Sequence, residues 1–168
     1  MQLENVEAAG TGAFNADVSL TSISLPRCKK LGASAFEGDE SLVEVNLPEC
    51  EELCGASNFL GFAGTSISLP SCKAIGDSPF NSCPNLQVID MPCVESFRRF
   101  AIDCPNLMSA VMSSLTAVPK VNGEEYENVN AFENVHNEFK IYVNSSIYDE
   151  MATDSYWNKF FTDKLVAI

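Results

Sequence analysis

Four prolines, Pro26, Pro48, Pro70 and Pro92, stand 22 residues apart. Leu25, Leu47, Leu69 and Met91 precede them directly, and Ile23, Val45, Ile67 and Ile89 come two positions before those. Leu20, Leu42 and Leu86 share a further column, which Gly64 interrupts. Downstream the phase holds for Cys28, Cys50 and Cys72, then for Leu31, Leu53, Ile75 and Phe97. Gly10, Gly32 and Gly76 keep it too, as do Phe14, Phe36 and Phe80, while Phe59 is shifted by one. A fifth copy, one residue short, puts Phe100, Cys104, Leu107, Ala110 and Met112 in the matching columns. A unit this short cannot enclose its own apolar side chains, so copies must stack to make a core.

Within one unit the residues specify local structure. In Leu20-Thr21-Ser22-Ile23-Ser24-Leu25-Pro26, apolar positions alternate with small polar ones, as in a short half-buried strand. β-Branched residues in the third column favour the same state, and proline ends it because it has no N–H for a ladder. The rest, such as Leu31-Gly32-Ala33-Ser34-Ala35-Phe36, fits a short helical or 3₁₀ turn. Stacked at the normal strand spacing of about 4.8 Å, the units predict a right-handed α/β solenoid. Short parallel strands line one face, turns and short 3₁₀ or α segments the other, and a small helical cap closes the C-terminus. Residues 54–65 lose the leucine, displace the phenylalanine and carry Cys54 in the column of Gly10, Gly32 and Gly76, so a bulge is expected there.

The motif Leu-x-x-Ile-x-Leu-Pro, then Ile/Leu-Gly and Ala-Phe, leads into the junctions Ser82-Cys83-Pro84-Asn85-Leu86 and Asp103-Cys104-Pro105-Asn106-Leu107. Together these resemble the BspA-type leucine-rich repeat family over roughly residues 3–112. The resemblance implies a leucine-rich repeat fold and a bacterial surface or secreted protein that attaches to host or neighbouring cells through protein or glycan. No constellation of residues supports an enzymatic reading, and neither catalysis nor a cofactor is expected.

Residues 1–112 read as the repeat array and 113–168 as a degenerate last repeat, loop insertion and cap. Pro119, Gly123 and Glu124-Glu125-Tyr126-Glu127 mark the loop. Lys140–Val143 reads as a strand, followed by a helix capped from Asn144-Ser145-Ser146, with Ser146 and Asp149 as a capping-box pair. A second helix follows Asp154-Ser155 and carries Trp157, Phe160 and Phe161; Leu165–Ile168 forms an edge strand. The aromatics here are expected to cover the final rung, as terminal repeats must. The stretch from Ile141 through Trp157 also resembles the end segment of BspA-like proteins, where proline often stands at Asn144. Leu3 falls in the column of Leu25, so the chain opens mid-repeat and we expect it to be the C-terminal part of a longer protein. Its first seven residues are acidic and show no export-signal pattern.

Composition narrows the chemistry. Twenty-three acidic against ten basic side chains give a net charge of −13, which argues against nucleic acid and anionic lipid. No apolar run reaches membrane-spanning length, so no membrane insertion is expected. The seven cysteines read as buried free thiols, because neighbours in one column sit too far apart at Cβ for an unstrained bridge. Cys50 and Cys54 lack the partners of a zinc site. His136, the one histidine, lies in an Asn-rich loop without a nucleophile and reads as solvent-exposed. Glu49, Glu51 and Glu52, like Glu124, Glu125 and Glu127, lack EF-hand spacing and read as solvated turns rather than calcium ligands.

The remaining candidate is the outward side of the strands. Alternation turns out Ser22 and Ser24, Glu44 and Asn46, Ser66 and Ser68, Val88 and Asp90, and Ser109 and Val111, flanked by Thr21, Val43, Thr65, Gln87 and Met108. Such a ladder has few charges, no lysine or arginine and no aromatic ring, which argues against sugar stacking and nucleic acid. Two readings stand side by side: a partner-binding surface of an adhesion module, and a plain solvated sheet on a spacer that positions another domain.

Overall fold

Residues one repeat apart pair in parallel register: Ile23 with Val45, Ile67 with Ile89, Leu31 with Leu53 and Leu53 with Ile75. The computed structural model describes residues 1–98, 101–121 and 130–168. The chain winds as a parallel-strand solenoid, with Ile23, Leu25, Cys28, Leu31 and most of their counterparts buried along its axis. Phe100 and the acidic stretch Glu124–Glu127 lie outside the described residues.

The face anticipated from the Ile-x-Leu-Pro motif, here the front sheet, contains Ser22–Ser24 paired with Glu44–Asn46. A second ladder on this side joins Ser66–Ser68, Val88–Asp90, Ser109–Met112, Lys140–Val143 and Leu165–Ala167. The anticipated strand at 140–143 and the closing edge strand are both present. The opposite side differs in detail from turns with short 3₁₀ segments. A side sheet runs unbroken through Ala8–Ala9, Lys30–Leu31, Glu52–Ala56, Ala74–Asp77, Ser96–Phe97 and Lys120–Val121. A back sheet joins Phe80–Asn81, Ile102–Asp103 and Phe132–Glu133. The earlier rungs have hydrogen-bonded turns here, with Phe14, Phe36 and Gly38 donating N–H bonds to Ala35, Asn58 and Leu60 of the following rung. Those turns need left-handed backbone at two positions per rung: Gly12, Ser34, Ser57 and Ser78, then Ala16, Gly38, Gly61 and Ser82.

Junction residues tie each rung to the one before. Cys83 and Cys104 donate Sγ–H to the carbonyls of Phe59 and Phe80, and the amides of Asn85 and Asn106 donate to Ala63 and Pro84. Phe14, Phe36, Phe59 and Phe80 stack face to face with centroids 5.1, 5.3 and 5.3 Å apart.

The anticipated bulge is present. Leu53 pairs with Ile75, but Ala56 pairs with Asp77, so one extra residue enters the strand around Cys54 and Gly55. Gly32 explains why: a Cβ there would lie 2.6 Å from the Gly10 carbonyl carbon. Cys54 in that column cannot make the same approach, and Gly55, at φ +69°, turns the chain instead. The extra residue keeps Phe59 in the phenylalanine stack and puts Asn58 in the position of Ala35, where it is buried and donates to the carbonyls of Gly32 and Cys54.

Charge is ordered on the side-sheet edge. Glu7, Lys29, Glu51, Lys73 and Glu95 form one column of alternating sign, the N–H of each from Lys29 onward bonding to the carbonyl one repeat earlier. All five side chains are exposed. Neighbouring pairs add to the pattern, with Lys30 on Glu52 at 2.8 Å and Lys73 on Glu95 at 3.6 Å.

At the C-terminus, α1 (Ser145–Thr153) buries Ile147 and Met151, and α2 (Ser155–Phe161) buries Trp157 and Phe161. Asp154 caps α2 by accepting the N–H bonds of Tyr156 and Trp157. Trp157 packs edge-on against Phe97 at 6.0 Å and donates its Nε1–H to the Pro119 carbonyl at 2.9 Å, so these rings do cover the last rung. The capping box expected from Ser146 and Asp149 is not formed. Asn144 stands at the N-cap, but its side chain caps nothing in α1. Its amide instead pairs with the backbone of Leu115, accepting at 3.0 Å and donating at 3.1 Å.

Candidate functional site

The front sheet fixes two outward columns. The first runs Ser22, Glu44, then Ser66, Val88, Ser109 and Lys140; the second runs Ser24, Asn46, then Ser68, Asp90, Val111, Tyr142 and Val166. Glu44, Asn46, Ser66 and Ser68 are exposed, whereas Ser22, Ser24, Val88, Asp90, Ser109 and Val111 are half-buried. All ten residues singled out in the sequence thus occupy these columns. Bonds between rungs hold several of them: Asn46 Nδ2 donates to Ser24 Oγ at 2.9 Å, and Ser68 Oγ donates to Asp90 Oδ2 at 2.9 Å. The small side chains are therefore spaced by the backbone and, in part, pre-oriented by one another.

The surface is not one continuous ladder. Glu44–Asn46 and Ser66–Ser68 share no strand pairing, although the rungs remain neighbours. The interruption coincides with Gly64 and the altered rung. Beside it Val45 is only half-buried and Val43 is 47% exposed, while the equivalent Ile23 and Ile67 are buried. The ten residues fall into a group of four and a group of six across this seam.

Tyr142 and Lys140 are members of the face that escaped the sequence reading. Tyr142 lies beside Val111 and Lys140 beside Ser109, so the surface does carry an aromatic ring and a cation. The aromatic-free and cation-free description holds only for its residues 22–111. Lys140 Nζ donates to the Asp163 carbonyl at 2.7 Å. The strand signal at 140–143 was legible, but the insertion before it hid its register against 109–112.

Other candidates resolve into structural roles. All seven cysteines are free, and five are buried. Cys28, Cys50 and Cys72 donate Sγ–H to the carbonyls of Lys30, Glu52 and Ala74. Burial pushes the Cys50 and Cys72 thiols up to about 12, which keeps them protonated at neutral pH. His136 is half-buried rather than solvent-exposed, and its Nδ1 accepts the Glu138 N–H at 3.1 Å in a tight turn. Glu52 is held below its ordinary carboxylate range by the Lys30 ammonium hydrogen-bonded to it. Glu124, Glu125 and Glu127 lie outside the described residues. Among the described residues, no three His, Cys, Asp or Glu side chains gather as metal ligands, and no helix is long and apolar enough to cross a membrane.

A family model described as BspA type leucine rich repeat region matches residues 7–128 in six copies. No curated protein and no solved structure matches the chain.

Proposed function

Since this chain belongs to the BspA type leucine-rich repeat family, a class of repeat scaffold that mediates protein interactions, we propose that it is a non-enzymatic adhesion module of a bacterial surface or secreted protein. The front sheet is its contact surface, and the partner is a protein or glycan on a host or neighbouring cell. The observation that carries this reading is the pair of outward columns, in which small polar side chains stand in register and Glu44 and Asp90 supply the only charges from Ser22 to Val111. A flat array of short side chains lets a partner approach the backbone closely, with little side-chain entropy to lose on contact. Tyr142 adds a half-buried ring at the far end, suited to an aromatic contact with protein or sugar.

Adhesion of domain-coated beads to epithelial monolayers tests this. Glu44→Lys and Asp90→Lys together should abolish attachment and leave the thermal melt unchanged. Unaltered attachment would take the front sheet out of consideration, and no attachment by the parent chain would leave the spacer role as the better account.

A further inference from the structure

A groove of about 830 Å³ opens on the side-sheet flank, away from the outward columns of the front sheet. Its origin is an insertion. Val88 pairs with Ser109, a step of 21 residues, but Ser96 pairs with Lys120, a step of 24, so the intervening turn holds three more residues than the turn beneath it. The longer turn is fixed at four points. Ser114 N–H donates to the Pro92 carbonyl, Leu115 is held by the Asn144 amide, Pro119 accepts the Trp157 indole N–H, and Lys120 N–H donates to the Glu95 carbonyl. The hollow is therefore built into the fold by residues of the cap.

Its lining combines apolar Val94 and Val118 with the hydroxyl-bearing Ser96 and Thr116, two lysines, Lys73 and Lys120, and one carboxylate, Glu95. Lys73 meets Glu95 at 3.6 Å, both well exposed, a pairing that contributes little. Lys120 has no carboxylate partner among the described residues. With Lys73 engaged by Glu95, Lys120 is the cation left to a ligand, and together with the hydroxyl donors and the apolar wall it fits an anion carried on an apolar body. Its volume exceeds what a bare inorganic anion fills. We propose that this groove binds the carboxylate end of a peptide with small apolar residues, the carboxylate on Lys120 and the side chains against Val94 and Val118. The site is independent of the front sheet.

Cys93 lines the groove and supplies the reporter, while Cys54, the other thiol that is not fully buried, lies elsewhere and serves as control. The full chain is labelled with iodoacetamide, with millimolar Ala-Ala-Val as free acid or as amide, and each cysteine is followed by mass mapping. The free acid should slow Cys93 labelling by roughly threefold or more at a few times its Kd and leave Cys54 unchanged. The amide should protect only weakly. Lys120→Gln should remove the protection, and Lys159→Gln, the same charge lost from α2, should retain it. Equal protection by the amide, protection that survives Lys120→Gln, or none at millimolar free acid would overturn the proposal. Protection by inorganic phosphate as strong as that by the peptide would reassign the groove to simple anions.

Discussion

The ring of Phe62 occupies the space into which a side chain at Gly64 would project. A Cβ at Gly64 would collide with Phe62 Cζ and approach Cε1 to 2.6 Å. Phe62 is 2% exposed and meets Phe59 edge-on at 6.1 Å, so it replaces from two residues upstream the leucine found at Leu20, Leu42 and Leu86. Phe62→Ala should cost about 3–5 kcal/mol, and Gly64→Ala about 1–3 kcal/mol through overpacking. The double variant Phe62→Ala/Gly64→Ala relieves the overlap with the ring, though not the 2.6 Å approach of that Cβ to the Val43 carbonyl oxygen, so its loss should be smaller than the sum of the two single losses. Urea titration of the four proteins measures this non-additivity, and additive losses would contradict the shared space.

Ile67 lies centrally in its column, 4% exposed and paired with Ile89. Ile67→Ala should cost about 2–5 kcal/mol. Because each rung is sealed by its neighbours, hydrogen exchange should quicken in the flanking rungs as well as at the substituted one. An effect confined to Ser66–Ser68 would show that the rungs are energetically separate.

Asp39 is 1% exposed; its Oδ1 accepts the Asp17 N–H at 2.7 Å while Oδ2 has no partner among the described residues. Burial raises its carboxyl above the ordinary range. The folded chain then holds this proton more tightly than the unfolded chain. The stabilisation is complete below the unfolded value of about 3.9 and is lost as pH rises through the folded one. Melting temperatures of Asp39→Asn relative to the parent should therefore climb across that window and level off above it. A pH-independent difference would sink this account.

Thiol accessibility follows burial. In the native chain, a neutral-pH alkylating reagent should modify Cys93, and more slowly Cys54, whose thiol is pushed up by burial and by the Glu52 carboxylate. Cys28, Cys50, Cys72, Cys83 and Cys104 should react only after denaturation. Mass mapping at graded urea checks it. Early labelling of Cys104, whose thiol is raised by its hydrogen bond with Cys83 and by burial, would contradict the packed junction.

Much of this was legible from phase alone. Columns such as Leu25, Leu47 and Leu69 announce a shared core because a residue type recurring at one period has one environment. Three things were not legible, each for a physical reason. Phe62 takes over a leucine site from another backbone position, which counting by 22 cannot detect. The side sheet rests on two-residue strands, such as Lys30–Leu31, whose main-chain pairing leaves no alternation to read. Tyr142 and Lys140 join the front sheet only because Val111 and Ser109 pair across the inserted segment. Similarly, Asn144 looked like a helix cap, yet its amide satisfies Leu115, a long-range demand that local pattern does not carry.

The column Glu7, Lys29, Glu51, Lys73, Glu95 has a period of two rungs, not one. Duplicating or deleting a single 22-residue block within it would set like charges side by side, at a cost of about 0.2–1 kcal/mol for each such contact. Gaining or losing two blocks together would preserve the order of signs. Growth of this solenoid is thus electrostatically quantised in pairs, a parity rule that any engineered lengthening of the array has to respect.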